Sequence, residues 1–413
     1  MTFTALHRAL GRTPGPLSDD MINESVSAGV TETGDLDWKS KLPPAAELKQ
    51  SDFVKDVAAM ANSGGGIIVY GVTEVQKAAS GRVDVGAFDE NHERTLRAVA
   101  ISAITPPVFG LGVHRLGDEP NRAVVVEVPA SVDGPHLIYK DQYFGAPVRN
   151  DADTVWMRER QLEAMYRARF EERRHATEAL DNLYTDAAGG RPTSERAWLI
   201  MVAHPRVAQV QTRLSRAEAS SVLQSAANST KHIVGNNVHP LEKVDMNNPR
   251  PGLRRWIAAN TATGERQAFR QAWGSVHHDG SVTLATAVGG YPLSGASVAE
   301  GWEVDSAVIE SGVVAFMRLI QTTAEVTVND QYEVRVGVEW DGDEPLAIIT
   351  ADSHGFRFDG TSIPLYRYTP VETTVNAATS NADYHRQIHD LALDCINQGG
   401  ISYLRVIDPP DPE

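Results

Sequence analysis

Three consecutive glycines, Gly64-Gly65-Gly66, separate two apolar segments of different periodicity, and this junction restricts the fold more than any other feature of the chain. Before it, Phe53, Val54, Val57, Ala58 and Ala61 recur at helical spacing behind Ser51, a residue suited to cap a helix N-terminus. After it, Ile67-Ile68-Val69-Tyr70-Gly71-Val72 is a continuous apolar run, the pattern of a buried strand. The spacing therefore predicts a helix, a tight glycine turn permitting positive φ, and a core strand. No Walker loop is present, because no GxxxxGK[ST] occurs and no lysine follows the glycines.

Further helices are expected at 17–23, 91–104 and 157–169, with strands at 110–115 and 123–128 and a short extended piece at 143–149. The stretch 171–192 reads as a helical tail followed by a linker that breaks at Ala-Ala-Gly-Gly-Arg-Pro. Beyond it, strands are expected at 197–203, 254–260, 266–276, 280–288, 332–340 and 346–351. Helices are expected at 216–227, 305–323 and 382–397. Asp279-Gly280 is a hairpin turn signal. The second half thus reads as α+β with an antiparallel sheet, and the 413-residue length allows each half its own core.

Charge is informative once it is partitioned. The chain has 38 basic and 54 acidic residues, a formal net charge of −16. Residues 301–413 hold 6 basic and 19 acidic residues, whereas residues 201–300 hold 10 and 6. The excess acid argues against phosphate binding by the last quarter but leaves a local nucleic-acid groove open elsewhere. The single cysteine, Cys395, cannot form an internal disulfide, which fits a reducing cytoplasm. The first residues lack the apolar stretch of a signal peptide, and the longest apolar runs are too short to span a bilayer. The expectation is a soluble cytoplasmic protein with no membrane partner.

The chemistry-bearing segment is Glu32-Thr33-Gly34-Asp35-Leu36-Asp37-Trp38-Lys39. If extended, it places Asp35, Asp37 and Lys39 on one face and Trp38 on the other, with Glu32 joining them across the Gly34 bend. Clustered carboxylates repel unless a cation neutralises them, so the group suggests a divalent metal with oxygen ligands. Lys39 can hold a phosphate or offset the charge developing in phosphodiester cleavage. Glu74, at the end of the apolar strand, meets this cluster if the two strands are neighbours.

Glu32, Asp37, Trp38 and Lys39 together resemble the opening motif of the Schlafen AlbA_2 domain family. Ala61-Asn62-Ser63-Gly64-Gly65-Gly66 with Gly71-Val72 resembles its central signature, and Val148-Arg149-Asn150 through Thr154-Val155-Trp156-Met157 its closing strand. The resemblance covers about residues 18–170; 171–192 would be the tail and linker, and 193–413 an α+β domain resembling no known family. It implies an α/β (α+β) chain whose first domain has a mixed sheet and associates with nucleic acid, RNA or DNA. In some members of the family, acidic residues form a metal-dependent cleaving site. Carried over, the resemblance implies Glu32, Asp37 and Glu74 as ligands of Mg²⁺ or Mn²⁺, with Lys39 completing the catalytic set. Nucleic-acid contacts would come from Lys39, Asn62, Gly64, Gly65, Gly66 and Arg149. Two positions depart from the family pattern: Asp37 stands where Glu is usual, and Thr73-Glu74 where Asp is usual. Such nucleases often pair two domains, which here would require a homodimer.

Other candidates are weaker. His385 and His389 at i,i+4 lack an HExxH context, His277-His278-Asp279 lies at a turn, and Cys395 sits on an apolar helix face where packing is its expected role. No GxSxG occurs. Arg254-Arg255-Trp256 and the segment 266–273 combine basic and aromatic residues, for which a solvent-facing strand is the commoner explanation. The leading expectation is a nucleic-acid-binding protein of bacterial type with a metal-dependent endonuclease site. The alternative is a non-catalytic DNA-binding regulator or interaction scaffold whose second domain senses a ligand or protein partner.

Overall fold

The computed structural model describes residues 3–140, 143–206, 213–235, 237–292, 298–327, 329–351 and 362–410. The chain divides into two compact units, Met1–Arg174 and His175–Glu413. In the first, α1 (Ala5–Ala9) and α2 (Asp19–Ala28) precede β1 (Leu36–Lys39), and α3 (Asp52–Ala61) leads through the glycines into β2 (Gly66–Tyr70). There follow the hairpin of β3 (Val72–Val75) and β4 (Ala78–Arg82), then α4 (Glu90–Ser102), β5 (Ile104–Thr105), β6 (Gly112–Leu116) and β7 (Ala123–Val128). The short strands β8 (Leu137–Lys140), β9 (Tyr143–Gly145), β10 (Pro147–Asn150) and β11 (Asp153–Trp156) come next, and then the 30-residue helix α5 (Glu159–Ala188).

The central sheet runs in the order β1-β2-β7-β6 and is mixed: β1 and β2 are parallel, the other pairs antiparallel. Both faces are covered. Phe53, Val57 and Met60 of α3 and Leu96 of α4 pack with Ile68, Tyr70 and Val126. On the opposite face Met21 and Ile22 of α2 join Trp38, Ile67, Val69 and Val125. Burial of both faces is why β2 reads as an unbroken apolar run rather than an alternating one.

The second unit is organised by β12 (Trp198–Pro205), α6 (Arg216–Val234), β13 (Arg250–Gly252), β14 (Arg255–Ala258), β15 (Ala272–His277), β16 (Val282–Ala287), β17 (Glu303–Asp305), α7 (Ser306–Thr327), β18 (Gln331–Glu339), β19 (Ala347–Ile349), β20 (Val371–Asn376) and α8 (Asn381–Asn397). Seven strands form one antiparallel sheet in the order β13-β14-β15-β16-β12-β18-β20. One face carries the larger core, in which Leu199, Met201, Leu284 and Val334 meet Leu223 of α6, Phe316 of α7 and Ile388 of α8. Cys395 is buried there, and burial pushes its thiol up to about 12, so it packs rather than reacts. The other face, with Trp198, Ile200 and Ala285, is covered by Leu180 and Ala187 near the end of α5.

Two expected placements are corrected by the structure. Residues 266–270 are not strand: behind Gly264, at φ +85°, Glu265–Arg270 form a 3₁₀ turn, and β15 starts only at Ala272. Asp35 lies in the turn before β1 rather than on its face. Among the described residues no helix is long and apolar enough to cross a membrane.

Candidate functional site

Strand alternation puts Asp37 and Lys39 on one side of β1, while Trp38 is buried on the other, its indole Nε1 donating to the Val30 carbonyl at 3.0 Å. The parallel register sets Asp37 beside Ile68 and Lys39 beside Tyr70. Asp37 is buried, and its partners are cations rather than other acids: Lys39 Nζ lies 2.7 Å from Oδ2 and Arg149 Nη2 3.6 Å from Oδ1. Lys39 Nζ is also 3.6 Å from Oδ2 of Asp56, a buried residue of α3. Asp37, Lys39, Asp56 and Arg149 therefore form an ionic network joining β1, α3 and β10. Burial opposes the Lys39 charge, but the Asp56 and Asp37 carboxylates outweigh it and hold the ammonium above the ordinary lysine range. For Asp56 the balance reverses. Burial dominates, and its carboxyl is pushed up to about 6 although Lys39 pulls the other way.

Arg149 is almost wholly inside. Its Nη1 donates to Thr154 Oγ1 at 3.2 Å and its Nη2 to the Thr33 carbonyl at 3.3 Å, while its backbone N–H donates to Ser63 Oγ at 2.8 Å. It links the β10–β11 hairpin to the turn before β1 and to the end of α3, so its role is counter-ion and brace.

Glu32 lies between this network and Glu74, within electrostatic reach of Asp37, Lys39 and Glu74. The Glu32 backbone N–H donates to the Lys77 carbonyl at 2.7 Å, which ties this segment to the β3–β4 hairpin, and its Oε1 accepts the Trp38 N–H at 3.0 Å. The Glu74 carboxyl lies within electrostatic reach of it, exposed beside an irregularity in β3. Burial, opposed by the Trp38 N–H and reinforced by Asp37 and Glu74, pushes Glu32 up to about 7.

Of the three expected metal ligands, Glu32 is within electrostatic reach of both Asp37 and Glu74, while Asp37 is ion-paired with Lys39 and Arg149. Among the described residues no set of three or more His, Cys, Asp or Glu side chains is disposed to hold a metal ion. Asp35, expected on the same face, instead pairs with Arg8 Nη2 at 2.6 Å and accepts from Thr33 Oγ1 at 2.7 Å.

The expected nucleic-acid contacts divide as well. Both Asn62 amide hydrogens are used, donating to the His136 carbonyl at 2.9 Å and the Pro147 carbonyl at 2.8 Å, while Oδ1 accepts the His136 N–H at 2.7 Å. Asn62 is therefore a clamp on the loop that reaches β10. The Gly65 N–H caps α3 on the Met60 carbonyl, and a Cβ at Gly65 would lie 2.7 Å from the Ala130 nitrogen. A Cβ at Gly66 would lie 2.8 Å from the Asp35 carbonyl oxygen. Close approach of the chain to itself requires these two glycines, whereas Gly64, at φ +92°, faces open space. Lys39 remains half-buried between its two acids.

Sequence reading missed Asp56. An acid within a helix whose other positions are mainly apolar was its signal, hidden because Val54 and Val57 already accounted for the apolar face. It also missed an exposed aromatic group. Tyr139 (58% exposed), Tyr143 (80%), Phe144 (58%) and Trp156 (54%) project from β8, β9 and β11. The Tyr139 and Phe144 rings are 5.8 Å apart, and the Trp156 ring lies against Gly145. Arg158 and Arg160, exposed just beyond Trp156, meet no carboxylate among the described residues.

Residues 32–159 match the family model described as Schlafen, AlbA_2, so the N-terminal part of the chain carries that family's domain. Among solved structures, the chain is similar to the N-terminal domain of a protein described as ATP-dependent DNA helicase RecG-related, from Nitrosomonas europaea. That match is 18% identical over 33% of this chain and 89% of the other, with a TM-score of 0.26. It is also similar to the DIP2311 protein from Corynebacterium diphtheriae, at 14% identity over 52% of this chain and 34% of that one, with a TM-score of 0.23. No curated protein matches it.

Proposed function

From the Schlafen AlbA_2 match of residues 32–159, we propose that the N-terminal unit binds nucleic acid, and that it takes single-stranded segments. The observation that supports this reading is the aromatic group of Tyr139, Tyr143, Phe144 and Trp156, all more than half exposed within the matched span. Unpaired bases stack on such rings without sequence preference, each for about 1–3 kcal/mol, and nearby arginines attract the phosphates. Duplex DNA, whose bases already stack on one another, offers these rings little. In this reading the Asp37–Lys39–Asp56–Arg149 network is scaffold: it fixes β1, α3 and β10 and so holds the β10–β11 hairpin that ends in Trp156.

The test is fluorescence anisotropy of the full chain with labelled oligo-dT, oligo-rU and a duplex at two salt concentrations. Salt-sensitive binding of the single strands is expected, weakened about tenfold or more in a Tyr139→Ala, Trp156→Ala double variant. A protein that binds no oligonucleotide, or whose double variant binds as tightly as the parent, would overturn the proposal.

The Glu32–Glu74 carboxyl pair favours a second reading, in which the unit also cleaves phosphodiesters with Mg²⁺ or Mn²⁺. A divalent ion bound there would supply a Lewis acid. No step of cleavage is derived through it. Incubating the same oligonucleotides with Mn²⁺ tests this reading. Cleavage abolished by Glu74→Gln supports it, and uncut substrate or cleavage indifferent to that change refutes it.

A further inference from the structure

In the second unit, α5 covers only part of the sheet face it packs on. Beside its last turn an open cleft of about 350 Å³ remains, floored by β14, β15 and β16. That volume falls within the range of small-molecule sites. The sheet register organises its floor. Ile257 lies opposite Ser275, Ser275 opposite Thr283, and Trp273 opposite Ala285, so an apolar side chain and two hydroxyls form a row across three strands. Neither the Ser275 nor the Thr283 hydroxyl has a hydrogen-bond partner among the described residues, although both residues are buried.

Two arginines form the walls. Arg191 lies over the Trp273 ring, 4.0 Å from its centroid, and its Nε donates to the Ala187 carbonyl at 3.2 Å. Its terminal nitrogens form no ion pair among the described residues, and burial disfavours its charge, a cost that nearby Asp186 offsets only in part and a bound anion would relieve. Arg255 is ion-paired through Nη1 with Asp186 at the rim, but its buried Nε is left without a partner. An unpaired guanidinium, an orphaned Nε–H and two free hydroxyls thus line one cleft, and all of them can donate. Ile257 and Ala285 supply apolar wall.

We propose that this cleft binds a small organic oxyanion: a compact, uncharged body on Ile257 and Ala285 carrying one carboxylate or phosphate held by Arg191, Ser275 and Thr283. Arginine with hydroxyls is the donor set that planar or tetrahedral oxyanions select. Asp186 sets the limit of one anionic group, because a second would face its carboxylate. The site lies outside residues 32–159, so its test does not rest on the nucleic-acid reading.

Calorimetric titration of the full chain tests the proposal with four probes: phenyl phosphate, benzoate, inorganic phosphate and benzyl alcohol. Phenyl phosphate or benzoate is expected to bind, whichever is tighter identifying the oxyanion; inorganic phosphate should bind more weakly and benzyl alcohol not at all. Arg191→Gln should weaken the bound probe about tenfold or more. Because Arg191 also packs on Trp273, the near-isosteric Thr283→Val and the small change Ser275→Ala provide a second measure, each weakening binding severalfold with the circular dichroism unchanged. The proposal is overturned if neither organic anion binds at millimolar concentration, or if binding is unaltered in Thr283→Val and Ser275→Ala.

Discussion

Asp56 shows how one side chain can govern the acid response of the first unit. Its carboxyl is pushed from the usual 3.8 up to about 6, mainly by burial, so the folded chain holds this proton more tightly than the unfolded chain does. Stability therefore falls as pH rises from about 4 to about 6, where the folded protein must surrender a proton that the unfolded one has already lost. Glu32, raised to about 7, acts in the same direction up to neutrality. Asn at position 56 cannot ionise, so Asp56→Asn should gain on the parent as pH rises through this window. At 1.36 kcal/mol per pKa unit the gain is up to about 3 kcal/mol. Urea midpoints of both proteins at pH 4 and pH 7 measure it, and parallel pH profiles would refute the account. At this scale the sequence showed which acids are close along the chain but not which cations answer them. Asp37 is answered by Arg149, more than a hundred residues away, and no local spacing encodes that pairing.

At the scale of elements, the α3–glycine–β2 junction was the most legible part of the chain: helix at Asp52–Ala61 and strand at Gly66–Tyr70 follow the change of apolar period closely. What the pattern could not assign was the function of each glycine. The positive φ of Gly64 and Gly65 makes either one costly to replace, on the order of 1–2 kcal/mol for the left-handed backbone alone. At Gly64 nothing else stands in the way, whereas at Gly65 a methyl would strike the backbone of residues 128 and 130. Gly64→Ala should therefore cost about the backbone penalty, and Gly65→Ala well beyond it, in denaturant melts of the full chain. Equal losses would mean that the turn relaxes freely and that its close approach to β7 is not what selects glycine. Within the seven-stranded sheet, the strands that the sequence did not reveal, β13 and β20, lie at its two ends. They are exposed along part of their length, so the apolar alternation that marks a strand is weak in them.

For the whole molecule, the division between units is a division between hydrophobic cores. The clusters around Phe53 and Trp38 draw only on residues of the first unit, and those around Phe316 and Trp198 only on residues of the second. Charge follows a related partition: the acid-rich 301–413 segment lies in the second unit, while the most basic hundred residues, 201–300, supply Arg255 to the oxyanion cleft. Sequence partition located that basic stretch but read its arginines as solvent-facing, because only the sheet register brings Trp273 and Arg255 to one face. Separate cores imply separate cooperative transitions, since an apolar side chain stabilises the core it fills. Differential scanning calorimetry of the full chain should therefore resolve two unfolding events. Gly65→Ala, a defect of the first core, should lower one of them by several degrees and leave the other in place. Binding of an organic anion in the cleft should raise only the transition that Gly65→Ala leaves unmoved, because a ligand stabilises the unit it binds and no other. A single transition displaced by both perturbations would show that α5, continuous from Glu159 to Ala188, couples the two cores into one folding unit.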